Sequence, residues 1–172
     1  MNTKEFETLV EAVREASRQG ELTPVAEEAF PEGEAEFIAL GAEAGAADII
    51  LIRESGRWYL FSDRHMTRQY AEAAALGASG DSLRMIAATV RSESAIYPRP
   101  TPVETFFDRP YSLKPSDVKE AVAKMLADPG FADIKGARAS NGAEFLFSSD
   151  HLDPDQAAAI AEWLAVGRFE NP

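Results

Sequence analysis

The sequence contains no cysteine. That excludes disulfides, thiol nucleophiles and Cys-ligated zinc. Imidazole chemistry has two places to occur, His65 and His151, the only histidines in 172 residues. No apolar run approaches the ~20 residues of a membrane-spanning helix. The first residues, Met1-Asn2-Thr3-Lys4-Glu5, lack the apolar stretch of a signal peptide. A phosphate-cradling glycine loop, a Gly-x-Ser-x-Gly elbow and a His-Glu-x-x-His zinc pattern are all missing. A cytoplasmic protein without a cofactor is the expectation.

Positive charge is also scarce. Seventeen Lys and Arg stand against 29 Asp and Glu, a formal net charge of −12. Such a balance repels phosphate backbones and anionic bilayers, so neither nucleic acid nor membrane is an expected partner. Between Arg18 and Arg53 there is no Lys or Arg, and eight acids, among them Glu27, Glu28, Glu32, Glu34, Glu36 and Glu43. A run of this kind is either a solvated face or a surface for a basic partner. Arg53, Arg57, Arg64 and Arg68 reverse the bias immediately afterwards.

What is present is a motif that occurs twice. Gly56-Arg57-Trp58-Tyr59-Leu60-Phe61-Ser62 runs on to His65, and Gly142-Ala143-Glu144-Phe145-Leu146-Phe147-Ser148 runs on to His151. Ala47-Asp48-Ile49 and Ala132-Asp133-Ile134 precede the two glycines. Each copy reads as a β-hairpin followed by a helix. Asp48 to Ile52 is apolar on both faces, which suits a central strand. Asn141-Gly142 is a strong two-residue hairpin signal, since both residues tolerate positive φ. Lys135, Arg138 and Glu144 put the second hairpin nearer a sheet edge. Thr67 and Asp153 stand where helix caps belong, and Pro154 and Gln156 complete the second start signal.

The remaining elements follow from apolar spacing. Residues 3–19 form an amphipathic helix capped by Thr3, with Phe6, Leu9, Val10 and Val13 as its stripe. Thr23-Pro24 opens a short helix reaching Phe30. Residues 32–45 read equally as helix or strand, because Gly33, Gly41 and Gly45 weaken a helical composition. Further helices lie at 82–93 and 116–127. The fold class is α+β: two helix–β-hairpin–helix units form one antiparallel sheet covered by helices, with a pseudo-twofold internal repeat. The domain plan is a single domain of two related halves, about 30–95 and 113–168, with an N-terminal helix at 1–20. A proline- and aromatic-rich strap, 97–112, joins the halves, its alternate prolines holding extended backbone.

Three groups are candidates for chemistry. His65 and His151 each lie three residues beyond a strand-ending serine, where a histidine either bonds the turn or moves protons. Asp150, His151, Asp153 and Asp155 form an acidic cluster of a kind that holds hard cations, although acids also belong at a helix N-terminus. In the strap, Arg99 and Arg109 are suited to clamping an anion, and Tyr97, Phe106, Phe107 and Tyr111 to lining a groove or packing a core. Ser62 and Ser148 recur without a positioned base, which favours a structural role. These features point to a non-catalytic, acidic binding, adaptor or chaperone-like protein whose partner is another protein, acting as a monomer or homodimer. The alternative is a small-molecule- or metal-binding protein, or a small enzyme, using His65 or His151 with Asp63 or Asp150.

Overall fold

A computed structural model describes residues 1–170. The chain divides after Gly80 into two compact units. Among the described residues there are six helices of nine residues or more and two three-stranded antiparallel sheets, an α+β architecture. Among the described residues no helix is long and apolar enough to cross a membrane.

The first unit opens with α1, Thr3–Arg18. Its cap is Asn2, one residue earlier than the sequence suggests. Asn2 Oδ1 accepts from the Glu5 amide at 2.9 Å, and Glu5 accepts in return from the Asn2 amide at 3.0 Å, a reciprocal capping box. Thr23–Val25, expected to begin a helix, is instead a short strand, β1. Pro24 lacks an amide proton, which is tolerated on an edge strand. A 3-10 turn, Glu27–Ala29, follows. The ambiguous stretch resolves as helix α2, Glu34–Glu43, entered through Gly33 at φ +69°. Strands β2, Ile49–Glu54, and β3, Arg57–Ser62, then form the hairpin, and α3, Arg68–Ala78, closes the unit under its Thr67 cap.

In this sheet the order is β1-β3-β2, so β3 is central and β2 lies at an edge. Being apolar on both faces reflects cover above and below a strand, not its lateral neighbours. Trp58 and Leu60 of β3 point into a core with Phe6, Val10, Val13, Phe30, Phe37 and Leu40. Tyr59 and Phe61 point the other way, against Met66, Ala71 and Ala75. Phe30 anchors the first core: its ring stacks on Trp58 with centroids 6.0 Å apart and meets Phe37 edge-on at 5.6 Å.

The second unit opens with α4, Ser82–Ile96. This helix, assigned from sequence to the first half, packs Ile86, Ala87 and Val90 against Phe106, Val118, Met125, Ile134 and Leu146. The strap is part of the same unit rather than a connection between halves. Thr101–Pro102 is edge strand β4, Val103–Phe107 a 3-10 turn, and Phe106 is fully buried. Helix α5, Pro115–Ala127, strands β5, Ile134–Arg138, and β6, Glu144–Ser148, and helix α6, Pro154–Glu162, follow. A π-helical turn, Trp163–Gly167, carries α6 onward. The sheet order is β4-β6-β5. Leu146 faces α4 and α5, while Phe145 and Phe147 face Ala161, Leu152 and Ala157.

The single sheet expected from two facing hairpins is therefore replaced by two separate sheets. Each hairpin takes its third strand from chain just upstream, β1 or β4, and both its faces are covered by helices of its own unit. A lone hairpin's instability is thereby relieved locally.

Candidate functional site

The densest polar constellation in each unit surrounds a carboxylate at the start of a hairpin, buried in the first unit and half-buried in the second. In the first unit Asp48, 5% exposed, receives Arg14 through Nε at 3.0 Å and a terminal nitrogen at 2.7 Å. Ser62 Oγ donates to the same carboxylate at 2.8 Å, and Arg64 approaches at 3.3 Å. Ser17 Oγ accepts from the Ser62 amide at 2.9 Å. In the second unit Asp133 receives Arg91 at 2.8 and 2.6 Å and Ser148 Oγ at 2.9 Å. Ser94 Oγ accepts from the Ser148 amide at 3.0 Å.

Local sequence builds both clamps. Arg14 and Ser17, like Arg91 and Ser94, are three apart on a helix and so share a face. Each aspartate precedes a strand, and each distal serine ends one. The strand-ending serines and the Asp-Ile pairs stand out in the sequence beside the hairpins; the Arg-x-x-Ser spacing repeated at 14–17 and 91–94 is the less conspicuous signal of the same clamp.

The electrostatics favour holding over reacting. The bond from Arg14 holds the Asp48 carboxyl far below the usual carboxylate range, against an opposing push from burial. Arg14 is raised in turn, chiefly by its bond to Asp48. Arg91 likewise draws Asp133 down to about 2. A carboxylate so stabilised is a poor base. Ser62 and Ser148 donate to it without becoming nucleophiles, and the clamps tie helix to hairpin.

The sequence-derived candidates are dispersed. His65 and His151 are both exposed, each in a turn where its amide donates to the strand-ending serine carbonyl at 3.1 Å. His65 lines a shallow cleft of about 410 Å³ with Arg18, Gln19, Thr67 and Tyr70. Asp153 caps α6, accepting from the Asp155 amide at 2.9 Å. Among the described residues no three His, Asp or Glu side chains gather to hold a metal ion.

The strap residues divide between core and surface. Phe106 packs edge-on against Tyr111 with centroids 5.1 Å apart, and Tyr111 meets Thr89 through its hydroxyl at 3.3 Å. Phe106 is fully buried and Tyr111 half-buried. Tyr97 is 54% exposed beneath the Arg99 guanidinium, which pairs with Glu93 at 2.8 Å. Arg109 is exposed and precedes a cis peptide bond to Pro110. Arg99 and Phe107 do share a cleft of about 660 Å³, closed by Phe145, Leu164 and Phe169.

A third cleft, which sequence reasoning did not locate, lies beside α2. It measures about 350 Å³ and is lined by Phe37, Ile38, Gly41, Ala42, Gly45, Ala46, Ala47 and Ile49. Ile38 on its rim is 61% exposed. Other large apolar side chains left on the surface are Ile96, Leu126, Trp163 and Phe169.

The family model for the YdhW C-terminal domain matches residues 80–169, more than half of the chain. Its first matched residue is the last of the first unit. An uncharacterized protein, YdhW, of Escherichia coli (strain K12) is 32% identical over 126 residues, covering 73% of this chain and 59% of that protein. The chain thus spans just under three fifths of that relative's length. No solved structure matches the chain.

Proposed function

The chain belongs to the YdhW C-terminal domain family, and we propose that it is a non-catalytic, acidic binding protein, an adaptor or chaperone-like partner of another protein. One observation carries the reading: large apolar side chains stand on the surface of both units, Ile38 at 61% and Trp163 at 59% exposure, on a chain of net charge −12. Large apolar side chains left exposed on an otherwise charged surface are what protein interfaces present before they are covered. The two clamps support it, since they commit their Arg, Asp and Ser groups to holding the fold.

Within the same reading the two units are copies of one module. Each runs helix, short strand, 3-10 turn, helix, hairpin, helix, and each ties its first helix to its hairpin by an Arg–Asp–Ser clamp. An internal repeat of this kind offers two related surfaces for one partner. The acidity argues against nucleic acid and anionic membrane, and the lack of cysteine fits a cytoplasmic location.

The test is recovery and reconstitution. The tagged chain, incubated with native lysate at low and moderate salt, retains a stoichiometric partner, and the purified pair reforms a complex weakened by Ile38→Ser or Trp163→Ser. Absence of any stoichiometric partner at both salts sinks the proposal. So does turnover by the pure chain that depends on His65 or His151.

The His65 cleft favours a second reading, a small anionic ligand held near Arg18 and Tyr70. A thermal-shift screen with anionic metabolites checks it, because a ligand of the native state raises the melting temperature.

A further inference from the structure

Helix α2 is apolar on both sides. Phe37 and Leu40 enter the core, while Ala35, Ile38, Ala39 and Ala42 lie exposed along the opposite face. A helix that is hydrophobic all round is ordinarily buried all round. Helix α5, also placed between a 3-10 turn and a hairpin, shows the usual alternative. It buries Val118, Ala121 and Met125 and turns Asp117, Lys119, Glu120 and Lys124 to solvent, with Leu126 exposed only in its last turn. The second face of α2 is therefore not a requirement of this position in the fold.

The cleft beside that face has a floor of small residues and walls of large ones. Gly41, Ala42, Gly45, Ala46 and Ala47 allow close approach, between Phe37, Ile38 and Ile49. A Cβ built at Gly41 meets no atom within 4 Å. Such a slot accepts the aliphatic side chains of a packed helix, for which small residues set a short interaxial distance.

The charge around the slot selects among occupants. Glu32 precedes α2, and Glu34 and Glu43 stand at its two ends, all exposed. From residue 19 to residue 52 there is no Lys or Arg. Among the described residues, the cations paired with the acids of α2 are the Met1 amino group on Glu36 at 2.9 Å and Arg53 on Glu34 at 3.1 Å, while Arg14 and Arg64 are committed to Asp48 beyond the helix. A second copy of the chain would set one acidic rim against another, and an anionic bilayer would be repelled.

Resting on the protein-binding reading above, we infer that the α2 cleft receives an amphipathic helix of a partner protein, with an aliphatic face in the slot and Lys or Arg at its flanks. Apolar contact supplies the affinity, and the acidic rim sets orientation and speeds encounter.

Fluorescence anisotropy with a designed probe tests this on the full chain. The probe is a fluorescein-labelled helical peptide of about five turns, with Leu and Ile on one face and Lys at both ends. Two variants separate docking from unspecific attraction. Ile38→Ser removes the exposed wall. Gly41→Leu fills the slot and replaces a helix-interior glycine with a better helix former, so its melting temperature does not fall. The wild type binds the probe on the order of micromolar, more weakly as salt rises. Both variants weaken binding roughly ten-fold or more, about the effect of losing one well-buried aliphatic contact. A matched peptide with Glu flanks fails to bind.

Equal binding by wild type and both variants overturns the inference. So does a dimer that Gly41→Leu dissolves, or binding of phosphatidylserine vesicles that Ile38→Ser abolishes. A native partner that binds Gly41→Leu as tightly as wild type overturns this site while leaving the protein-binding reading in place.

Discussion

Arg91 grips Asp133 with two parallel hydrogen bonds, Nε to one carboxylate oxygen at 2.8 Å and a terminal nitrogen to the other at 2.6 Å. Arg14 holds Asp48 in the same two-pronged way, but in a less open setting: the Arg14 side chain is 18% exposed and that of Arg91 41%. Removing one member of a buried pair leaves the other uncompensated, at a cost of about 3–5 kcal/mol. Arg14→Leu falls near the bottom of that range, because Arg64 stays within 3.3 Å of Asp48. Arg91→Leu costs less, about 1–3 kcal/mol, the value of hydrogen bonds to a charged group nearer solvent. Urea unfolding of the two variants checks the order. Lysine at either position does not restore wild-type stability, because an ammonium cannot form the fork.

Acid separates the two clamps. A carboxylate whose folded-state pKa is depressed contributes stability above its unfolded value and loses it as pH falls through the folded value. Asp133 lies at about 2 when folded, against an ordinary 3.8, so its contribution declines as pH drops from near 4 to near 2. Asp48 is held lower still, and its clamp survives further into acid. In an NMR titration the amides of Ile134–Arg138 therefore lose protection from exchange before those of Ile49–Glu54. Asp133→Asn removes this part of the pH dependence in the second hairpin and leaves the first unchanged. Simultaneous loss in both hairpins contradicts the assignment.

The helices and hairpins were legible because burial leaves a periodic trace. Phe6, Val10 and Val13 mark the inner face of α1, and Trp58 to Phe61 alternate between two cores. Lateral strand order leaves no such trace. Nothing in Ile49–Ile52 distinguishes an edge strand covered on both faces from a central one, and a three-residue strand such as Thr23–Val25 is too short to show a period. The clamp was half legible, since its aspartates and strand-ending serines recur beside the hairpins. Its arginines sit on helices 34 and 42 residues away in sequence, and only folding brings them in. The α2 cleft was hidden by its own composition, because alanine and glycine read alike in a core and on a surface.

The hairpin turns invert the expectation drawn from residue type. Ser55 and Gly56, at φ 50° and 74°, adopt the tight two-residue turn with positive φ at both positions. At Asn141-Gly142 only the glycine is left-handed, at φ 90°. Asn141 instead accepts from the Ala143 amide and donates to the Ala165 carbonyl, both at 3.0 Å, pinning the tip to the π-helical turn that follows α6. Gly56→Ala thus costs about 1–2 kcal/mol through backbone strain alone, since nothing crowds the added methyl. Asn141→Ala costs about 1 kcal/mol per lost bond, through side-chain hydrogen bonding rather than φ. Thermal denaturation ranks the two. An added Asn141→Gly variant separates the causes, because glycine relieves any strain there but cannot make the bonds.

Asp153 and His151 are two residues apart and respond differently to substitution. Asp153 accepts from the amides of Asp155 and Gln156 at 2.9 and 3.4 Å, satisfying donors that the start of α6 leaves open. Asp153→Ala therefore costs about 1 kcal/mol, the value of a helix cap. The His151 side chain is exposed, and His151→Ala stays within about 0.5 kcal/mol of wild type, as surface substitutions do. If the acids serve the helix and not a cation, then Mg²⁺, Ca²⁺ and Zn²⁺ leave the melting temperature of the wild type where it was. A metal-dependent rise that disappears in Asp150→Asn or Asp155→Asn, while Asp153→Ala proves neutral, would reverse the assignment and make this turn a cation site.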